Sequence, residues 1–147
     1  AMAGGGISIN YGAHSLDKIC YLTQSDIAWA TGSCTYLQPG TDVDGSAQML
    51  LRTSSGISAS ISLCGYSVVP IDETMLFFAN GSLRLHTGSD LSVTCGIGYE
   101  TVDTSSYPNA FEAQWADFIS GVRAGRILYC DGTYGASIVR TIELLYH

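Results

Sequence analysis

One segment in the middle of the chain most limits the folds that this sequence can adopt. Between Ile57 and Leu63, apolar side chains alternate strictly with the serines at positions 58, 60 and 62. Because successive side chains of a strand point to opposite faces, this segment has one apolar face and one small polar face. Antiparallel sheets are commonly covered on one face only, whereas parallel sheets are covered on both. The alternation therefore predicts an antiparallel sheet with other elements against its apolar face.

Further strand patterns surround this one. The expected strands lie at residues 27–37, 45–53, 56–65, 73–79, 82–86 and 91–95. The short Ser54-Ser55 link predicts a hairpin between the second and third of them. Asn80-Gly81 predicts another between the fourth and fifth, because this dipeptide favours tight hairpin turns. Residues 38–42, which include proline and glycine, are expected to be a loop.

Helical periodicity replaces the alternation at both ends of the sequence. From Ile7, apolar residues recur at spacings of three and four until about residues 23–26. Residues 111–122 carry an aromatic and aliphatic stripe that is expected to lie in the core, after a possible N-cap at Asn109. Asp131 is expected to cap a last helix. This order predicts an α+β fold: a largely antiparallel open sheet of about six strands with helices on one face.

The composition argues against two classes of partner. Only 13% of the residues are charged, and the net charge is −7. The six basic residues are scattered, whereas a nucleic-acid-binding protein carries them in a patch or stripe. An acidic protein is also repelled by an anionic membrane surface, and no apolar run approaches the ~20 residues of a membrane span. We therefore expect neither a nucleic acid nor a membrane as a partner.

The cysteines and the scarcity of charge indicate the protein's environment. The five cysteines are odd in number, widely spaced and without a CxxC pair, which argues against a disulfide framework and a zinc site. They are interpreted as small buried hydrophobes in a reducing compartment, and without a secretion signal the expected location is the cytoplasm. A charged share of about half the usual ~25% suggests that a partner domain, a subunit or a large core covers more than one face.

Three polar residues of the first helix form the sharpest candidate site. Asn10, His14 and Asp17 are spaced i, i+4 and i+7, so they share one helical face. An imidazole can exchange a proton with a substrate hydroxyl near neutral pH, and a neighbouring amide can orient that hydroxyl. The alternative is a capping and packing cluster at a helix that begins after a glycine run. The residues alone leave both interpretations open.

Other chemistry-bearing residues carry weaker signals. Tyr66 and Tyr99 lie beside glycines near strand ends, where a hydroxyl can face a pocket, although packing is the more common role. His86 is expected at a strand end and His147 ends the sequence, and neither has the spacing of a metal site. Cys64 would need a histidine or aspartate brought close by the fold to act as a nucleophile. We predict no metal site from the sequence.

The segment with these polar residues also carries a resemblance to a known family. Residues 4–17, GGGISINYGAHSLD, resemble the start of the C-terminal domain of the Gfo/Idh/MocA oxidoreductases, which include glucose–fructose oxidoreductase and inositol dehydrogenase. The family pattern there is a glycine run, a carboxylate or amide, three residues, a histidine and, three residues later, an aspartate. Residues 52–60, the hairpin MLFFANGSLRL at 75–85 and the closing segment 111–146 are similar to the family as well. The resemblance covers almost the whole chain.

This resemblance implies a two-domain enzyme. Residues 1–147 would be a single domain, the substrate-binding and oligomerisation domain, and a dinucleotide-binding domain would precede it. NAD or NADP would be bound mainly by that other domain, which agrees with the lack of a GxGxxG motif in this sequence. The implied substrate is a sugar, polyol or related hydroxyl compound. We expect the 147-residue chain alone to bind no nicotinamide and to be inactive.

The resemblance also assigns roles to individual residues. His14 would be catalytic, contacting the reacting hydroxyl or carbonyl and working with a lysine of the other domain. Asn10, Tyr11 and Tyr66 are predicted to contact the substrate. The family often has an aspartate at the position of Asn10, so the role of this residue reduces to hydrogen bonding. Asp17 matches a position with a structural role, such as satisfying backbone donors.

Family members pack the open face of this sheet against another subunit. The alternation over residues 57–63 and the low charge fit such an interface, so a homo-oligomer is expected. Two alternatives stay open. One is a non-catalytic binding or oligomerisation module, which the amide at Asn10 would favour. The other is a free-standing hydrolase that uses a cysteine or a histidine.

Overall fold

The chain forms two compact units. The computed structural model describes residues 6–36, 43–66, 68–126, 128 and 130–146, so the loop expected at 38–42 lies outside the described residues. The first unit comprises Ala1–Ser67 and Tyr129–His147, and the second comprises Val68–Leu128. Every pair of neighbouring strands in the described residues is antiparallel. The predicted α+β class is confirmed.

The elements follow one another much as the sequence patterns predicted. In chain order they are a π-helix (Ser8–Gly12), α1 (Ala13–Thr23), β1 (Ile27–Tyr36), β2 (Asp44–Thr53), β3 (Ser58–Cys64), β4 (Glu73–Phe78), β5 (Gly81–His86), β6 (Asp90–Thr94), β7 (Glu100–Val102), α2 (Ala110–Ala124), α3 (Gly132–Glu143) and a 3₁₀ turn (Leu144–Tyr146). The described residues thus form seven strands, in a sheet of three and a sheet of four, where about six were expected. The unforeseen strand is β7, which is too short to show a pattern.

The first unit contains a three-stranded sheet in the order β1-β2-β3. Its central strand alternates fully, because Ala47, Met49 and Leu51 are buried while the residues between them are exposed. Helices α1 and α3 add Leu16, Cys20, Ile138 and Ile142 to the same core cluster. The helices of this unit therefore cover one face of its sheet, and the serine-rich face of β3 is exposed.

The second unit contains a four-stranded sheet in the order β4-β5-β6-β7. The predicted hairpin between β4 and β5 is present, but Phe78 pairs with Gly81, so Ala79 and Asn80 form the turn. The expectation of a tight Asn-Gly turn is wrong, since neither Asn80 nor Gly81 has a positive φ. A Cβ atom on Gly81 would lie 2.2 Å from the carbonyl oxygen of Thr94, so a close approach of β6 requires this glycine.

Helix α2 corrects another expectation. Its ends are as predicted, because the Asn109 side chain accepts a hydrogen bond from the Phe111 N–H and the helix ends at Gly125 in the left-handed conformation. Its stripe is not core, however: Phe111 is 81% exposed, Trp115 63% and Phe118 45%. Helical periodicity shows which residues share a face but not what covers that face, so the interpretation as core is wrong for the described residues.

Two further properties bear on the sequence expectations. Cys20 is buried and Cys34 half-buried, but Cys64, Cys95 and Cys130 are exposed, so the interpretation of all five cysteines as buried hydrophobes is wrong. Cysteine was interpreted from its average behaviour, which does not determine the burial of a single residue. In the part of the chain that the structure describes, none of the helices has the length and hydropathy needed to cross a bilayer.

Candidate functional site

A pocket of about 780 Å³ opens in the first unit, beside the start of its N-terminal helix. Asn10, Tyr11 and His14 line it from the helix. Asp44 and its neighbour Gly45 line it from the strand side, where β2 begins, together with Gly65 at the end of β3. The fold thus brings three of the four predicted site residues to one pocket.

Tyr66, the fourth predicted site residue, and Asp17, the third polar residue of the helix, do not line this pocket. Tyr66 follows Gly65 directly and is half exposed, but its side chain does not line the pocket. Asp17 lies outside the pocket as well, and its Oδ1 accepts a hydrogen bond of 2.6 Å from the Tyr134 hydroxyl of α3. This bond ties α1 to α3, so Asp17 is structural, although its partner is a side chain rather than the backbone donors that were expected. Of the three polar residues on this helical face, Asn10 and His14 line the pocket and Asp17 does not.

The helix that carries Asn10 and His14 begins irregularly. Residues Ser8–Gly12 form a π-helix, and the α-helix starts only at Ala13. The sequence pattern predicted a regular helix over the whole segment, because a five-residue π segment leaves too few positions to show its own period. Such segments are rare and often occur at functional sites, since the wider turn changes which side chains share a face. Here Asn10 on the π segment and His14 on the α segment line the same pocket.

This helix start has no local cap. Neither Ile7 nor Gly12, which occupy the cap positions of the two segments, makes a side-chain cap hydrogen bond. The acceptor is instead the carboxylate of Asp44, whose Oδ1 lies 2.8 Å from the Gly6 nitrogen. Its Oδ2 accepts hydrogen bonds of 2.8 Å from the Ser8 N–H and 2.7 Å from the Ser8 hydroxyl. The polar cluster of Asn10, His14 and Asp17 is therefore not the cap of this helix.

The carboxylate of Asp44 is buried and has a fourth donor. Asp44 is 1% exposed, and its Oδ1 also accepts a hydrogen bond of 2.7 Å from the Tyr146 hydroxyl. Burial alone would raise the pKa of Asp44, but the hydrogen bonds from Ser8 and Tyr146 outweigh it and hold this pKa below its ordinary value. Burial and the hydrogen bond to Asp44 raise the pKa of Tyr146 to about 12.

Gly6, the last residue of the glycine run, has a structural role that the sequence interpretation missed. A Cβ atom on Gly6 would lie 2.1 Å from the carbonyl oxygen of Asp44, so any side chain here would push the helix away from β2. The sequence analysis assigned no structural role to Gly6 or to Asp44. One signal was available: an acidic residue at the start of a strand that was expected to be half-buried needs donors from elsewhere in the chain.

The second unit carries the weaker candidates, His86 and Tyr99. His86 Nδ1 lies 2.9 Å from Asp90 Oδ1, and its Nε2 lies 3.7 Å from Glu73 Oε2. The Tyr99 hydroxyl lies 2.8 Å from Ser82 Oγ, and the guanidinium group of Arg84 lies above the Tyr99 ring. The His86 contacts join paired residues of neighbouring strands, and the Tyr99 contacts join the residue before β7 to β5. Among the described residues, no group of three histidine, cysteine, aspartate or glutamate side chains could hold a metal ion.

Comparisons with known proteins match this fold. The sequence model described as the GFO/IDH/MocA C-terminal domain matches residues 1–84, more than half of the chain. No curated protein matches it. Among solved structures, the chain is similar to an oxidoreductase domain protein from Kribbella flavida, with a TM-score of 0.81 and 15% identity over 98% of this chain and 49% of that one.

Two further solved structures are similar. UDP-N-acetylglucosamine 3-dehydrogenase from Acidithiobacillus ferrooxidans has a TM-score of 0.76 and 19% identity over 91% of this chain and 44% of that one. Levoglucosan dehydrogenase, in complex with NADH and levoglucosan, has a TM-score of 0.74 and 15% identity over 90% of this chain and 47% of that one. The chain spans less than half the length of each of these structures, and at such identities the likeness establishes a shared fold.

The family match and the segment that first suggested it agree. The matched residues 1–84 include the glycine run, the π-helix with Asn10 and the α-helix with His14. The predicted resemblance is confirmed, and the chain belongs to the family of Gfo/Idh/MocA C-terminal domains.

Proposed function

We propose that this chain is the substrate-side domain of an NAD(P)-dependent oxidoreductase that acts on a hydroxyl group of a sugar, polyol or related compound. The observation that carries the proposal is the pocket in which Asn10, Tyr11 and His14 meet, in a chain that belongs to this family. Two similar structures add support, since one is a sugar-nucleotide dehydrogenase and the other a levoglucosan dehydrogenase with NADH.

The proposed roles follow from the chemistry of the side chains. Oxidation of an alcohol needs a group that takes the hydroxyl proton, and an imidazole nitrogen of His14 is suited to this at neutral pH. The amide of Asn10 can donate and accept hydrogen bonds but cannot take the proton, so it orients the hydroxyl. The exposed ring and hydroxyl of Tyr11 offer a further substrate contact, whereas Tyr66 would have to turn towards the pocket to contribute.

The cofactor is proposed to be held elsewhere. A dinucleotide carries a pyrophosphate, which proteins bind with a glycine-rich turn and the N-terminus of the helix that follows it, or with basic side chains. The charged side chain that lines this pocket is a carboxylate, that of Asp44, and the helix start beside it already donates to that carboxylate. These residues do not fit a nicotinamide dinucleotide, so a separate domain would bind the oxidised dinucleotide, which would supply the hydride acceptor.

The central test is kinetic. In the full-length protein that contains this chain, His14→Ala should lower kcat for the oxidation of its sugar or polyol by roughly 100-fold or more, the usual contribution of general acid–base catalysis. The matched control is His86→Ala, which removes a histidine of the second unit and should leave kcat unchanged. Unchanged turnover in His14→Ala would remove His14 from the chemistry.

A second test concerns the cofactor. Calorimetry with NADH and with NADPH should detect no micromolar binding to the 147-residue chain alone. Binding of that strength would contradict the proposal that another domain holds the dinucleotide.

The open face of the first sheet is the proposed oligomer interface. Trp29 and Leu50 are more than half exposed there, beside the serines of β3. Arg52 is a charged residue of the same face, paired with Ser58 in the register. Leu50→Glu should shift the protein towards the monomer in light scattering, whereas Val139→Glu on the exposed side of α3 should not. A wild-type monomer at high micromolar concentration would contradict the interface.

One alternative function has an observation in its favour. The amide at Asn10 stands where the family often has a carboxylate, which would suit a binding or oligomerisation module without catalysis. That alternative predicts a homo-oligomer with no oxidoreductase activity in the full-length protein. A cytoplasmic location stays a prediction.

A further inference from the structure

We infer that Asp44 is a positioning residue, which acts as the N-cap of the pocket helix from a distant strand and so places Asn10 and His14. Its effect on the helix does not depend on any ligand, whereas its importance for turnover rests on the proposed function.

The first step of the argument concerns the helix start. The first N–H groups of a helix have no partners within the helix, and a nearby residue normally accepts from them. In this helix the Gly6 and Ser8 N–H groups donate to Asp44, which is 38 and 36 residues away. A carboxylate is a favourable acceptor here because the N-terminal end of a helix carries a partial positive charge.

The second step concerns what Asp44 is able to do. Its two oxygens accept hydrogen bonds from Gly6, from both the N–H and the hydroxyl of Ser8, and from Tyr146. Four donors fill the acceptor positions of a carboxylate, and the side chain is buried. Asp44 is therefore not available to take a proton from a substrate, although it lies beside the pocket. Its contribution to chemistry must go through the position of the helix.

The third step concerns how many segments meet at this carboxylate. Asp44 begins β2, Ser8 begins the pocket helix two residues after Gly6, and Tyr146 belongs to the 3₁₀ turn after α3. The neighbouring Gly45 carbonyl accepts a hydrogen bond of 2.8 Å from the N–H of Gly65 at the end of β3. A shift of the helix start would thus break its hydrogen bonds to Asp44, a side chain that the Tyr146 hydroxyl also holds in place. The π segment that carries Asn10 begins at Ser8, directly at this anchor.

The test uses nuclear magnetic resonance on the full 147-residue chain. In Asp44→Asn, an amide replaces one carboxylate oxygen with a donor. Hydrogen exchange of the Gly6 and Ser8 amides should accelerate by at least tenfold, and the backbone signals of Asn10 and His14 should shift. Tyr146→Phe removes one of the four donors and should change the same signals in the same direction by a smaller amount.

The matched control is Tyr134→Phe. This variant removes a tyrosine hydroxyl that donates a hydrogen bond to Asp17 of α1. That hydrogen bond has nearly the same length as the one from Tyr146 to Asp44. The exchange of the Gly6 and Ser8 amides and the signal of Asn10 should not change in this variant. An equal response to Tyr134→Phe and Tyr146→Phe would show general loosening of the helix and would overturn the inference.

Two outcomes decide the remaining cases. If Asp44→Asn does not fold, Tyr146→Phe and Ser8→Ala replace it as the test of the inference. Unchanged signals of Gly6, Asn10 and His14 in both of these folded variants would overturn the inference. In the full-length enzyme, Asp44→Asn should lower kcat about tenfold with little change in KM, and Asp44→Glu should restore part of it. Full activity in His14→Ala would refute the proposed function while leaving the exchange result for Asp44 intact.

Discussion

The two units of the chain differ in how completely they bury their apolar side chains. Among the described residues, every member of the buried hydrophobic cluster belongs to the first unit. In the second unit, all six residues of β5 are only half-buried, and Phe77 and Trp115 are largely exposed. Both regions carry strand patterns and an amphipathic helix in their sequences, although the strict alternation lies at residues 57–63 of the first unit. Periodicity alone therefore does not create a core, because a second layer has to cover the apolar face.

The two units also use their charged groups differently. In the first, one buried carboxylate, that of Asp44, accepts hydrogen bonds from two other segments, the start of the pocket helix and the 3₁₀ turn at Tyr146. In the second, His86 and Arg84 form half-buried pairs with Asp90 and Glu73 on the neighbouring strands, at distances of 2.9 to 3.8 Å. Pairs that solvent reaches contribute little to the free energy of unfolding. The removal of one partner from a buried group costs more, because it leaves buried polar atoms without a hydrogen bond. The first unit is consequently where single substitutions should have large effects.

The largest expected effect comes from the core of the first unit. Ile142→Ala should lower the free energy of unfolding by about 2–5 kcal/mol, because it leaves a cavity where the side chain is 0% exposed. Trp115→Ala in the second unit removes a larger side chain but should change the free energy by less than about 1 kcal/mol, since the ring is exposed. Urea titration of both variants measures the comparison. An equal loss in Trp115→Ala would show that the α2 stripe is covered in solution.

Asp44→Asn should have the next largest effect. A hydrogen bond to a charged group contributes about 1.5–3 kcal/mol, and this substitution turns one acceptor oxygen of a buried carboxylate into a donor. The loss of unfolding free energy should therefore reach that range. Asp90→Asn, which changes an exposed carboxylate of the second unit, should cost far less. The contrast between Asp44 and Asp90 would fail if the two variants unfolded at the same urea concentration.

A glycine of the second unit gives a smaller effect. Gly81→Ala forces a Cβ atom against the Thr94 carbonyl and should cost about 1–3 kcal/mol, as overpacking commonly does. Gly96→Ala is the control, because a Cβ atom there meets nothing within 4 Å and the backbone φ is not positive. If Gly81→Ala were as stable as Gly96→Ala, the close approach between β5 and β6 would not restrict this position.

The smallest effect near neutral pH is the titration of the Asp44–Tyr146 pair. The pKa of Asp44 is lower in the folded chain, so its contribution to stability is present above about pH 4 and is lost as the pH falls further. The pKa of Tyr146 is raised to about 12, so its contribution is present below about pH 10 and is lost as the pH rises towards 12. The thiol of Cys34 is the other titratable group that acts on Tyr146.

Thermal unfolding across pH measures this titration. Asp44→Asn should lose stability less steeply than the wild type below pH 4, although Asp90 and Asp103, whose pKa values are also lowered, titrate in both proteins. Parallel profiles of the two proteins would contradict the assignment of the acid effect to Asp44.

Much of the candidate site could be predicted from the sequence. The glycine run and the spacing of Asn10 and His14 pointed to the residues that meet at the pocket, because residues close in sequence on one helix must lie near each other. The role of Asp44 could not be predicted in this way. Its donors lie 36 to 102 residues away, and no local pattern encodes a contact at that separation.

The sequence by itself determined where most of the helices and strands lie and which strands form the two predicted hairpins. Asn109 and Asp131 cap α2 and α3 as expected, and the short Ser54-Ser55 link predicted the antiparallel pairing of β2 and β3. These features depend on neighbours within a few residues, so a local pattern is enough to specify them.

Only the tertiary structure decided which faces are covered and how the pocket helix is held. It left the α2 stripe exposed, divided Asp17 from Asn10 and His14, and gave the cap of the pocket helix to Asp44. The physical reason is that burial and the pairing of a buried charge depend on segments far apart in the chain. The pattern of a segment shows which of its faces must be covered and which of its polar groups need partners. The assembled fold determines which residues cover those faces and pair with those groups.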